Sequence, residues 1–290
     1  KLYNQKKMPN KIILSGKKGL GKSTLAHHII NYILSKNEDY KYDAINSIIN
    51  KDNRSFILLN NKTHPNFYSI DLINEKKIID VGQIREMITY TNKSSFNDDS
   101  RFILIDNIEN LNKNSINALL KIVEEPNDNI FFILIHNSEK KILPTLKSRC
   151  LIFKINLSYV ECLNIANLLI SRNVMDLINK DLISHYNTPG DFIKLVDFAD
   201  EKKIDLKEQS IESFINLLID NGYYKKNKLV KQLLINFIEL FFLKEYKLRT
   251  AKTSLLNIYQ NFINKINNTE KFNLDEESLF LEFKSKLLNG

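Results

Sequence analysis

The sequence predicts an α/β fold, a parallel sheet flanked by helices, followed by a half made only of helices. Three observations carry this. Short apolar runs alternate with helical periodicity through the first 155 residues. The first run ends in a glycine-rich loop that opens a helix, and strand signals cease after about residue 157. At 290 residues the chain is about twice a typical domain, so more than one is expected.

The elements follow in order. Ile12-Ile13-Leu14 is a buried strand that ends at Ser15-Gly16, and a helix runs from Lys22 to about Ser35. Phe67 to Ile70 is a second strand. Asp80 to Thr91 is a helix with Asp80 as its N-cap. Phe102 to Ile105 is a third strand, closed by Asp106. A helix from Asn114 to Glu124 is stopped by Pro126. Ile130 to Ile135 and Leu151 to Phe153 complete five strands. Strands alternating with helices imply parallel pairing, with ligands at the carboxyl ends of the strands.

Beyond Leu157, Ser158-x-x-Glu161 is a capping box for a helix to about Ile170. Helical stretches near 174–186 and 190–200 are separated by the turn Asn187-Thr188-Pro189-Gly190, and charged residues 200–208 are a linker. Four amphipathic stretches, roughly 210–220, 226–246, 251–267 and 274–288, close the chain. Three modules are expected: an α/β module over 1–156, a small helical module over 157–206 and a helical domain over 207–290.

Composition narrows the function classes. Hydrophobic residues are 43% and charged residues 26%, enough for a real core. The longest apolar run, Ile130 to Ile135, is far below the roughly 18 residues of a membrane helix. The opening KLYNQKKMPN has no apolar leader. Cys150 and Cys162 are the two cysteines, too few for a disulfide framework or a four-thiolate zinc site. A reducing cytoplasm is the expected setting. The net charge is +8, and all of the excess sits before residue 156, with 24 basic and 16 acidic residues there against 18 of each after it. That suits a module facing phosphate or nucleic acid, and equally a solvated lysine-rich surface.

The strongest motif is Gly16-Lys17-Lys18-Gly19-Leu20-Gly21-Lys22-Ser23, a complete G-x-x-x-x-G-K-[ST] phosphate loop between a strand and a helix, with Thr24 next. Its glycines let backbone N–H groups point at phosphate oxygens, and the helix adds its positive N-terminus. Lys22 would reach the β- and γ-phosphates and Ser23 would ligate Mg²⁺. Ile103-Leu104-Ile105-Asp106 is the matching strand-plus-carboxylate, with Asp106 as the second holder of Mg²⁺. Asn137 follows the fourth strand, a common turn residue in its own right. His27, His28 and His64 form no metal-ligand pattern, and no Ser/His/Asp triad or carboxylate pair stands out.

Two further segments, Asn117-Ala118-Leu119-Leu120-Lys121-Ile122-Val123-Glu124-Glu125-Pro126 and Ser148-Arg149-Cys150, carry a family resemblance. Over about residues 1–200 the chain resembles the bacterial clamp-loader AAA+ subunits of DNA polymerase III, gamma/tau and delta-prime, and delta-prime more closely. His64-Pro65 and Ile79 to Arg85 belong to the same pattern. The resemblance implies an AAA+ module, a helical lid and a helical collar that joins a ring with gamma/tau and delta. It implies ATP with Mg²⁺ as cofactor, a sliding clamp and primed DNA as partners, and Asn137 beside the γ-phosphate. It implies that Arg149 projects into a neighbouring subunit's ATP site as an arginine finger; a surface salt bridge is the alternative.

The departures from the family matter too. Where an active motor carries Glu after the strand Asp, this chain has Asn107, and an amide cannot accept a proton. Glu109, two residues on, is expected to face elsewhere. The position of a second phosphate-sensing arginine, near Pro189-Gly190, holds Asp191. The four-cysteine zinc module that the family often has is missing, since residues 36–66 contain no Cys. The expected role is a stator with little or no ATPase of its own. An active gamma-type motor is the alternative, and a P-loop small-molecule kinase a more distant one.

Overall fold

The computed structural model describes residues 3, 5, 7–73, 77–93, 100–125, 129–248, 252–272 and 275–285. It divides into two compact units, Lys1–Ser158 and Tyr159–Gly290.

The first unit is built on β1 (Lys11–Gly16), β2 (Phe67–Ile70), β3 (Arg101–Ile105), β4 (Ile130–Asn137) and β5 (Leu151–Lys154). All pair in parallel, in the order β2-β3-β4-β1-β5. Both faces of the sheet are covered, which is why its inner strands read as unbroken apolar runs. Ile13, Ile103, Ile105, Phe132 and Leu134 face one way, with Ile84 and Met87 of α3 (Val81–Asn92) and Leu119 and Val123 of α4 (Lys113–Glu124). Ile12, Leu14, Phe102, Leu104, Ile133 and Ile135 face the other, with Ala26, Ile30 and Ile33 of α1 (Lys22–Leu34) and Leu59 of α2 (Arg54–Asn60). Asp80 caps α3 in a reciprocal box with Gln83. Asn112 caps α4 by accepting from Ser115 N, 2.8 Å. Pro126, expected to stop α4, lies outside the described residues.

One turn, α5 (Pro144–Lys147), precedes β5. The register sets Gly16 beside Asn137 and Ile105 beside Leu134, so the carboxyl ends of β1, β3 and β4 share one edge.

The second unit contains α6 (Tyr159–Ile170), α7 (Val174–Leu177), α8 (Pro189–Lys202), α9 (Ile211–Asp220), α10 (Tyr223–Lys226), α11 (Lys228–Leu248), α12 (Lys252–Phe272) and α13 (Glu277–Phe283). One apolar cluster runs through it from Ala166 to Phe283. Two sequence expectations change here. The helix near 174–186 is only α7 and a 3-10 turn at Lys180–Leu182, because Asn173 and Asn179 each turn a side chain onto a following backbone N–H. The linker at 200–208 is partly core: α8 continues to Lys202 and Leu206 is buried. Residues 251, 274 and 286–288 of the last two expected helices lie outside the described residues. Among the described residues, no helix is long and apolar enough to cross a membrane.

Candidate functional site

The loop after β1 is shaped by its glycines. Gly19 and Gly21 take φ of 86° and 77°, which L side chains rarely adopt. A Cβ on Gly16 would lie 2.4 Å from the Ile155 carbonyl oxygen. Lys22 opens α1 and is buried to 6% exposure. Its Nζ donates to the carbonyls of Gly16 (2.8 Å) and Lys17 (2.5 Å). Burial lowers the Lys22 pKa, and Asp106, Glu109 and Glu139 oppose that shift. Lys17, Gly19, Leu20 and Ser23 are half-buried, while Lys18, Gly21 and Thr24 are exposed.

Asp106 lies just past β3, and the Ser23 hydroxyl helps to hold its pKa down. The two residues expected to hold Mg²⁺ are therefore neighbours. Burial and then the charge of Asp71 push the Asp106 pKa up, while the hydrogen bond from Asn107 N, the charge of Lys22 and the Ser23 hydroxyl hold it down. Asn137 ends β4 and donates its Nδ2 to Glu139 Oε2 at 3.4 Å.

Asn107 is left-handed, at φ 56° and ψ 45°. Its backbone N–H donates to Asp106 Oδ1 (2.8 Å) and its Nδ2 to Asp71 Oδ1 (2.7 Å), at the end of β2. The left-handed residue and the 3-10 turn after it, Ile108–Asn110, correct the expectation for Glu109. Instead of facing elsewhere, Glu109 returns over the end of β4 and its Oε2 accepts from Asn137 N at 3.1 Å. Asp71, Glu109 and Glu139 are thus neighbours of this site that motif reading missed. A positive-φ Asn after the strand carboxylate is the one local signal for the reversal.

The family model for the DNA polymerase III delta subunit matches residues 1–158, more than half of the chain. The chain belongs to the delta-prime clamp-loader family of DNA polymerase III. Among curated relatives, the delta-prime subunit of Buchnera aphidicola subsp. Baizongia pistaciae is 34% identical over 147 residues, 49% of this chain and 42% of that protein. The delta-prime subunit of Pseudomonas aeruginosa is 30% identical over 138 residues, 48% and 40% of the two chains. The gamma subunit of Buchnera aphidicola subsp. Schizaphis graminum is 34% identical over 146 residues, 50% and 38%. The chain spans less than half the length of each. A crystal structure of a gamma subunit-related protein from Thermotoga maritima covers 98% of this chain and 96% of its own, at 16% identity and a TM-score of 0.53. It shares the fold, an AAA+ sheet module with a helical C-terminal region.

The two segments that carried the resemblance to this clamp-loader family meet at Arg149. Arg149 follows α5 and is 35% exposed along its side chain. Its Nε donates to Glu124 Oε1 at 2.8 Å and its Nη2 to the same oxygen at 2.6 Å. Its Nη1 donates to Thr145 O (3.0 Å) and Ser148 Oγ (3.2 Å). Asp191 caps α8, where its Oδ2 accepts from the N–H and hydroxyl of Thr188 at 2.9 and 2.8 Å. The three histidines of the first unit's early segments each have a local neighbour. His27 packs edge-on against Phe67, His28 Nδ1 lies 3.0 Å from Tyr42 Oη, and His64 Nδ1 accepts from Asn66 N at 3.1 Å.

Proposed function

We propose that the chain is the stator of a clamp loader: it binds Mg²⁺-nucleotide at Gly16 to Thr24 with little turnover, and donates Arg149 to a neighbouring subunit's ATP site. The observation that carries this reading is Asn107. It stands where hydrolysis needs a carboxylate, and its amide is committed to Asp71 at 2.7 Å. The residues present fit Mg²⁺-nucleotide. A buried ammonium at Lys22, glycines the loop requires, and a Ser23 hydroxyl neighbouring the Asp106 carboxylate are the donor set such a ligand takes. When bound, the ion would neutralise phosphate charge between Ser23 and Asp106. Asn137, at the end of β4, would lie beside the terminal phosphate.

In this reading residues 157–206 are the lid and 207–290 the collar that joins gamma/tau and delta, in the cytoplasm. The partners are those subunits, the sliding clamp and primed DNA. The net charge of +8 carried before residue 156 supports a phosphate-facing first unit.

The test begins with a labelled ATP analogue titrated onto the isolated chain, with Lys22→Ala as control, and turnover read on the same sample. Binding without turnover is expected, lost in Lys22→Ala. Reconstituted with gamma and delta subunits, Arg149→Ala should lower the ATPase of the complex about 10³-fold or more at the site it serves. Unchanged activity would remove the finger.

A gamma-type motor is the second reading, and Glu109 favours it, since its carboxylate acts on Lys22 and accepts from Asn137 N. Sustained turnover by the isolated chain, abolished in Glu109→Gln, would establish the motor instead.

A further inference from the structure

Arg149 does not stand free: a carboxylate from a different helix grips it. Glu124 is the last residue of α4, and it takes the Nε–Nη2 edge of the guanidinium on one oxygen. Thr145 O, one turn back in α5, and Ser148 Oγ take Nη1. A guanidinium has five N–H groups in a rigid plane. With its side edge held, the second N–H of Nη2, at the tip, is the part left for an incoming phosphate oxygen.

We propose that Glu124 is the positioning residue of Arg149, fixing the guanidinium plane before a neighbouring subunit's phosphate arrives. The proposal rests on the finger reading above. Glu124 would touch no nucleotide itself. Its contribution is geometric, because an arginine has four side-chain torsions to immobilise and a finger acts only when its donors are already aimed. The pair is not a folding device. Glu124 is 49% exposed and Arg149 35% exposed, and an exposed ion pair adds at most about 1 kcal/mol to stability. The α4 terminus and the segment after α5 therefore act as one unit, which accounts for both resemblance segments lying in a single structural feature.

The experiment is a double-mutant cycle on the reconstituted clamp loader, reading kcat, the KM for ATP and assembly by gel filtration. Glu124→Ala should cut kcat about 10- to 100-fold, the effect of a misaimed catalytic group, with KM and assembly unchanged. Glu124→Gln keeps an acceptor oxygen and should restore most of the lost kcat. The double variant Glu124→Ala, Arg149→Ala should be no slower than Arg149→Ala alone, since a positioning residue has nothing left to position. Wild-type kcat in Glu124→Ala, or effects that simply multiply in the double variant, would overturn the proposal. If Arg149→Ala itself runs at wild-type rate, the finger reading falls, and this assignment with it. If Arg149→Ala is slow and Glu124→Ala is not, only this assignment falls.

Discussion

Asn107 combines two roles in one residue. Its backbone needs the left-handed region that Asn tolerates better than most residues, and its side chain bonds Asp71. Asn107→Glu would set a carboxylate against Asp71 and place an unsuited residue at φ 56°. The expected outcome is a loss of about 1–2 kcal/mol in denaturant unfolding and no vigorous ATPase, because Asp191 still stands where a second phosphate-sensing arginine is expected; robust turnover would show that Asp191 does not hold that position. Asp106 gives a pH prediction. Its folded pKa lies above the ordinary 3.8, through burial first and Asp71 second. The ionised form therefore costs stability at neutral pH, and the cost is relieved as pH falls through the raised value towards 3.8. Asp106→Asn should melt at a higher temperature than wild type at pH 7, with the gap closing towards pH 4. A gap that grows on acidification would reverse the sign. The missing glutamate was legible at this scale. Glu109 was not, because alternation past Asp106 assumes continued strand geometry, and a single left-handed residue ends it.

At the scale of elements, all five strands were legible: β1, β3 and β4, buried on both faces, leave apolar runs that end at or beside Gly16, Asp106 and Asn137, while β2 and the exposed β5 are short apolar runs. The stretch between α1 and β2 was not. Residues 36–66 lack both periodicity and cysteine, yet they hold α2, organised by buried amides. Asn53 caps α2 by accepting from Phe56 N at 2.6 Å, accepts from Asn31 Nδ2 at 2.9 Å and donates to Tyr40 O at 2.7 Å. Nearby, His64 Nδ1 accepts from Asn66 N, so its Nε2 carries the proton and can donate to Ser55 Oγ, 3.3 Å away; Ser55 in turn donates to Glu38. Such knots depend on long-range pairing of polar side chains, which no local pattern announces. Asn53→Ala should lower stability by about 2–3 kcal/mol in urea, a cap and a buried partner lost together. Hydrogen exchange should quicken across 54–60. A change under about 0.5 kcal/mol would show that the amides are incidental.

Each of the two units has its own core, so a perturbation in one should stay there. Leu234 is fully buried in the helical unit, and Leu234→Ala should cost about 2–5 kcal/mol. The affinity of the phosphate loop for a labelled ATP analogue should be unchanged; a several-fold loss would show that the units share their energetics. The resemblance covered the first unit well and the last 80 residues only as helices of a suitable size, because a packed helical bundle constrains which positions are apolar more than which residues fill them.

The strand order has a consequence for how the chain is made. β1 emerges first but is an inner strand, flanked by β4 and β5, and Ser15 waits for His136, 121 residues later, to acquire its neighbour. At synthesis rates of about 5–20 residues per second, the phosphate loop hangs on an unpaired apolar segment for several seconds before either partner exists. The nascent β1 segment is therefore a natural client for a holding chaperone, and the loop after it takes its final setting only after residue 154 has cleared the ribosome.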